Sequence, residues 1–118
     1  MKVKFLMIMS VLMFILASCS HVPQEHSSVP RALVIDVRTQ QEWNAGHLDG
    51  AILIPYDKID QGITAVAADK KTRLYLYCRT GRRTGLAYDT LKKAGYEDLV
   101  NLSTLENASK ELNLPIIK

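Results

Sequence analysis

The stretch ALVIDV, residues 32 to 37, is an apolar run broken by a single acid. A strand with one wet face alternates apolar and polar residues, so a continuous run marks a strand covered on both faces. Such strands belong to parallel sheets sandwiched between helices, and the rest of the chain agrees. After Arg38, TQQEW supplies a capping box, Thr39 to Glu42, which opens a short helix ending at Gly46. AILIP (51 to 55) reads as a second strand closed by proline, and YDKIDQGITAVAAD (56 to 69) as a helix weakened by Gly62. RLYLYC (73 to 78) is a third strand. In TGLAYDTLKKAG (84 to 95), Leu86, Ala87, Thr90, Leu91 and Ala94 recur at helical spacing, with Gly95 as the stop. DLVNL (98 to 102) is a fourth strand and TLENASKEL (104 to 112) a last helix. Strands alternating with helices predict a three-layer α/β domain with a mostly parallel central sheet flanked by helices.

The amino end has a different character. Residues 1 to 20 hold all four methionines, Lys2, Lys4 and no acid. Of the 15 basic residues these two lie in the leader, which leaves 13 against 12 acidic ones in the remainder. The rest is thus close to neutral, and this balance gives no support for nucleic-acid binding. A basic start, an apolar stretch from Phe5 to Ala17 and small residues after it follow the plan of a secretory signal peptide. The apolar stretch is shorter than the roughly 20 residues a bilayer-spanning helix needs. Where it ends, Leu16-Ala17-Ser18-Cys19 resembles a bacterial lipobox. That resemblance implies cleavage before Cys19 and a lipid on its sulfur. The alternative is ordinary cleavage near Ser18. HVPQEHSSVPR (21 to 31) has two prolines and no apolar period, and reads as a tether. The expected organisation is a signal peptide of lipoprotein type over 1–18, a linker over 19–31 and one domain over 32–118. The expected location is the periplasm, with the membrane reached through the lipid.

Export sharpens the position of the second cysteine. Secreted chains usually pair their cysteines, and with Cys19 acylated or removed Cys78 has no partner. An unpaired thiol outside the cytoplasm points to a reactive one, against the alternative of a small buried hydrophobe. Cys78 ends the third strand, and Arg79, Thr80, Gly81, Arg82 and Arg83 follow it into a helix N-terminus. In open α/β sheets ligands bind at this edge. Gly81 lets the loop curl so that successive N–H groups converge, and the helix adds the positive end of its dipole. A free thiol titrates near 8.5. A helix terminus contributes roughly 0.3 to 2 kcal/mol toward the anion, and partly screened arginines about 1 kcal/mol each. Together these predict a thiolate nucleophile at neutral pH.

Taken with CRTGRRT, the stretch VIDVRTQQEWNAGHLDGAILIP (34 to 55) and the segment AGYEDLVNL (94 to 102) resemble the rhodanese family of sulfurtransferases, in particular its exported single-domain members. The recognisable pieces are Asp36-Val37-Arg38, Glu42-Trp43, Gly46-His47, Gly50-Ala51 and Ile54-Pro55. The resemblance implies a thiosulfate sulfurtransferase in which Cys78 becomes a persulfide. The amides of Arg79, Thr80, Gly81, Arg82 and Arg83 would cradle the sulfur, and the arginines would attract the dianionic donor. The partners implied are thiosulfate and a thiol or cyanide acceptor, with no metal or organic cofactor, no nucleic acid, and a monomeric chain. Two departures from the family pattern stand out: Ser103-Thr104 replaces a common Gly-Gly pair, and a later tryptophan is absent. Two other readings are a catalytically idle binding module of the same fold and a cysteine-dependent phosphatase or arsenate reductase. The second needs an arginine where Thr84 stands. A Cys78-His47-Asp36 triad can also be drawn, but His47 lies in a turn of structural character, and Trp43 is expected in the core.

Overall fold

A computed structural model describes residues 32–118. The expected signal peptide, the expected linker and Cys19 lie outside the described residues. The first apolar run forms β1, Leu33–Asp36. Its neighbours in the sheet are β3, Ile52–Leu53, on one side and β4, Leu74–Cys78, on the other. β5, Leu99–Thr104, completes the order β3-β1-β4-β5. Every pairing is parallel, with Leu33 opposite Leu74 and Asp36 opposite Tyr77. The α/β architecture read from the alternation of patterns is the one observed.

Side chains of successive strand residues point to opposite faces, and LYLYC shows what that does here. Leu74, Leu76 and Cys78 face a core that also holds Ile35, Val37, Ile59, Ile63, Ala87 and Leu91. Tyr77 faces a second core with Leu48, Leu102, Leu105 and Ala108. The first core is covered by α2, Ile59–Val66, and α3, Arg82–Lys93. The second is covered by α4, Leu105–Leu112. Both sheet faces are therefore buried, which is why the strands read as continuous apolar runs. Leu76 is fully buried in the first core, and cutting it to alanine would cost about 2 to 5 kcal/mol.

The remaining elements are local. α1, Gln40–Ala45, has Thr39 as N-cap in the expected box: Thr39 accepts from the Glu42 amide, and the Glu42 carboxylate accepts from the Thr39 amide. The expected helix over 56 to 69 is a single 3-10 turn, Tyr56–Lys58, running into α2. Gly62 is needed within α2 because a Cβ there would lie 2.7 Å from Ile54 Cγ2, so its absence lets the helix approach Ile54, just past the end of β3. One feature was not anticipated from the pattern. β2, His47–Leu48, pairs antiparallel with β6, Ile116–Ile117. Two-residue strands carry no periodicity to read. Among the described residues no helix is long and apolar enough to cross a membrane.

Candidate active site

Three chain segments meet at the carboxyl edge of the sheet: the ends of β1, β4 and β5. At the end of β4, Cys78 is fully buried. Gly81 adopts φ +94°, in the left-handed region open to glycine. The loop therefore turns sharply enough for the Gly81 amide to donate to Cys78 Sγ at 3.0 Å. α3 begins at the next residue, two positions before its apolar period becomes visible in the sequence. Arg82 and Arg83 thus occupy its first turn.

β5 contributes the other side of the site. Its register against β4 slips: Leu76 faces Asn101 but Cys78 faces Thr104, so one extra residue is inserted in β5. Within that bulge Ser103 takes φ 67°, a conformation costing a non-glycine residue roughly 1 to 2 kcal/mol. The bulge brings the Ser103 carbonyl to 3.4 Å from Cys78 Sγ, where it accepts the thiol proton, and to 3.3 Å from the Thr84 hydroxyl, which also donates to it. The Ser103 hydroxyl rests over the loop; a Cβ on Gly81 would lie 2.5 Å from it. Gly81 is thus required twice, for its backbone angle and for the space above it.

Opposing forces act on the thiol. Burial, the largest single influence, pushes it up. Hydrogen bonds to the anion from the Thr84 side chain and from the amides of Thr84, Gly81 and Thr80 more than offset this, so the thiol titrates below its ordinary range. Thr84 is the participant that the sequence reading did not assign. Its signal was present: it is a polar residue at the first of three buried α3 positions, Thr84, Ala87 and Leu91. No cation stands there, so the arginine that phosphatase chemistry needs is missing from that place.

The arginines separate into distinct settings. Arg79 and Arg82 are exposed. Arg83 forks onto Glu42, with Nη1 donating to Oε1 at 2.5 Å and Nη2 to Oε2 at 2.8 Å. This fork is the main cause that holds Glu42 down at about 2 from an ordinary 4.5. Its positive charge is thereby committed to the α1 capping box. Thr80 is exposed and joins the cradle through its backbone.

At the end of β1, Asp36 and Arg38 form a closed unit. The Arg38 backbone amide and Nε donate to Asp36 Oδ1 at 2.9 and 3.0 Å, and Nη2 donates to Oδ2 at 2.7 Å. Tyr77 adds its hydroxyl to Oδ2 at 2.8 Å, and Arg38 Nη2 reaches the Gly46 carbonyl at 2.6 Å. Burial is the main cause that pushes the Tyr77 phenol above its usual range. His47 stacks on Trp43 with ring centroids 3.6 Å apart, and its Nδ1 lies 3.0 Å from the Trp43 carbonyl. Trp43 is half-buried on this stack rather than in either core, because α1 buries none of its residues. Asp36 is committed to Arg38 and Tyr77, and His47 to Trp43, so the contacts each makes do not assemble a triad on Cys78. Among the described residues no group of three or more His, Cys, Asp or Glu side chains is placed to hold a metal ion.

The rhodanese-like domain family matches residues 23–104. Thiosulfate sulfurtransferase PspE of Escherichia coli is 32% identical over 84 residues, covering 71% of this chain and 77% of PspE. Probable adenylyltransferase/sulfurtransferase MoeZ of Mycobacterium tuberculosis is 42% identical over 69 residues, 58% of this chain. That match spans 18% of MoeZ, about a fifth of its length. A solved structure of rhodanese with anions from Escherichia coli superposes with a TM-score of 0.68 at 30% identity, covering 74% of this chain and 98% of the other. The parallel sheet, the cysteine at the carboxyl end of its β4 and these similarities agree, and the chain belongs to the rhodanese-like domain family of sulfurtransferases.

Proposed function

We propose that the protein is a thiosulfate sulfurtransferase that works by double displacement through Cys78. The observation that carries the reading is the state of the sulfur: buried, yet hydrogen-bonded by the Gly81 amide at 3.0 Å and titrating below the ordinary thiol range. A structural cysteine in an apolar core is pushed the other way.

In the first half-reaction the Cys78 thiolate attacks the outer sulfur of thiosulfate. The S–S bond of the donor breaks, sulfite leaves with the electron pair, and Cys78 holds a persulfide. Amides of Arg79 to Arg83 receive the extra sulfur, and the exposed Arg79 and Arg82 draw the dianion in. In the second half-reaction cyanide or a thiol attacks the outer persulfide sulfur and Cys78 leaves as thiolate. No redox partner is needed, since each step exchanges one S–S or S–C bond for another. The chain acts in the periplasm, held at the membrane by a lipid on Cys19 after removal of residues 1 to 18, with residues 19 to 31 as its tether.

The intact mass of the mature protein after thiosulfate treatment tests both parts. The expected result is a gain of one sulfur atom on Cys78, lost to cyanide as thiocyanate appears. A protein that never gains sulfur at any donor concentration would overturn the reading. The same mass, taken from native membranes, shows whether Cys19 carries a lipid.

A further inference from the structure

A cavity of about 270 Å³ opens at the carboxyl edge of the sheet, lined by Arg38, Glu42, Ala45, Arg79, Leu105 and Glu106. It collects residues from the ends of β1, β4 and β5, and it adjoins Cys78 in the chain through Arg79. Four of its six lining residues are charged, two of each sign. Two of these charges are already used: Arg38 is forked onto the buried Asp36 and Glu42 onto Arg83. Among the described residues the other two, Arg79 and Glu106, make no ion pair or side-chain hydrogen bond. The cavity therefore presents one uncommitted cation and one uncommitted anion, with the apolar Ala45 and Leu105 also in its lining.

A site that served only a dianionic donor has no use for Glu106, whose charge repels thiosulfate and its sulfite product. Double displacement removes the conflict, because donor and acceptor occupy the site in turn. Arg79 serves the donor first and is free again once sulfite has left. Resting on the sulfurtransferase reading above, we propose that this cavity receives the sulfur acceptor, and that the acceptor is a small α-amino thiol bearing both a carboxylate and an ammonium group, of which cysteine is the simplest. The carboxylate pairs with Arg79, the ammonium with Glu106, and the methylene lies against Ala45 and Leu105. The volume fits a molecule of this size, falling just below the roughly 300 to 1,000 Å³ of sites that take drug-sized ligands. The acceptor thiol loses its proton to water and its thiolate attacks the outer sulfur of the Cys78 persulfide. The Cys78–sulfur bond breaks, its electron pair returns to Sγ, and the acceptor leaves as a persulfide.

The test begins with protein loaded by thiosulfate and verified by mass as the persulfide, so that the donor step is already complete. Its discharge is timed with L-cysteine, with cysteamine, which lacks the carboxylate, and with 3-mercaptopropionate, which lacks the amine. Rates are compared per ionised thiol. Cysteine is expected to discharge the protein about tenfold faster than either, one charge-assisted contact being lost in each comparison. In Glu106→Gln the advantage over 3-mercaptopropionate should shrink to about twofold while the advantage over cysteamine persists, and Arg79→Gln should do the reverse. Were Glu106 present only as an acid in the first turn of α4, its loss would lower helix stability by a few tenths of a kcal/mol and leave both ratios unmoved; that result overturns the proposal. Equal discharge by all three thiols overturns it as well, with the sulfurtransferase reading intact. Protein that never loads from thiosulfate removes that reading and this inference together.

Discussion

β1 and β4 lie side by side in the sheet, and each ends in a fully buried acidic group at the same edge, Asp36 in one and Cys78 in the other. What surrounds them differs. Asp36 receives a guanidinium fork, a backbone amide and a phenol, so its charge is fully matched and its lone pairs are occupied. Cys78 receives no cation of its own. It is met by the Gly81 amide and by the Thr84 hydroxyl and amide, which supply partial charges. Dipoles lower the thiol's proton affinity while leaving the sulfur free to attack. The same edge thus builds one anion to stay and another to react.

Removing each anion should expose that division of labour. Cys78→Ser keeps the volume and a hydrogen-bonding group, so the protein should stay folded within about 1 kcal/mol and yet gain no sulfur from thiosulfate. Intact mass reads the second point and urea denaturation the first. Asp36→Asn should behave in the opposite way. It leaves the Arg38 guanidinium buried without its countercharge, at a cost of about 3 to 5 kcal/mol. For a domain of this size each kcal/mol lowers the melting temperature by roughly 4 to 8 °C. The surviving folded fraction should still form the persulfide. If Asp36→Asn abolished sulfur uptake at full stability, the assignment of Asp36 to structure alone would be wrong.

How much of this was readable beforehand depends on the range of the interaction. The sheet strands, α1 with its Thr39–Glu42 box, and the placement of Cys78 at a strand end all rest on local pattern, and each was legible in the sequence. The β2–β6 ribbon was not, because it joins His47-Leu48 to Ile116-Ile117 across most of the domain and neither pair has a period. The sharp turn after Cys78 was legible from Gly81, but the Thr84 donors and the cover were not. Nothing in LVNLST announces a bulge that turns the Ser103 carbonyl onto Sγ. Thr84 could have been found as a polar residue on an apolar helix face. The engagement of Arg83 by Glu42 is a contact between residues 41 positions apart, and only the fold brings them together.

The dipole side of the comparison can be weakened without touching the sulfur. Gly81→Ala places a Cβ where the Ser103 hydroxyl sits and forces alanine to φ +94°. Strain of roughly 1 to 2 kcal/mol is expected, and relief of the clash pulls the Gly81 amide off Sγ. The thiolate is the reactive form, so wild-type persulfide formation should rise with pH through the lowered thiol pKa and level off above it. In Gly81→Ala that rise should move to higher pH. At a pH below both pKa values the rate should drop about threefold to tenfold, since each pKa unit is a factor of ten in the ratio of thiolate to thiol. Persulfide formation timed across a pH series reads both quantities. An unshifted profile would mean that the Gly81 amide does not support the anion.

Glu42 tests the countercharge side at its weakest point, because its pair with Arg83 is part exposed, with side chains 21% and 19% accessible. The carboxylate is held at about 2 against an ordinary 4.5. A depressed folded-state pKa stabilises the protein above the unfolded value, and that contribution is lost as pH falls from about 4.5 toward 2. Solvent screening reduces what the shift alone would suggest to about 1 kcal/mol. Glu42→Gln should therefore unfold in slightly less urea at pH 7, by that amount, and lose correspondingly less stability between pH 5 and pH 2 than the wild type. Near pH 2 the two curves should converge. If they instead run parallel across the whole range, the Glu42–Arg83 fork contributes nothing to stability in solution. A guanidinium would then make a lasting bond at this edge only where, as at Asp36, water has been excluded from it.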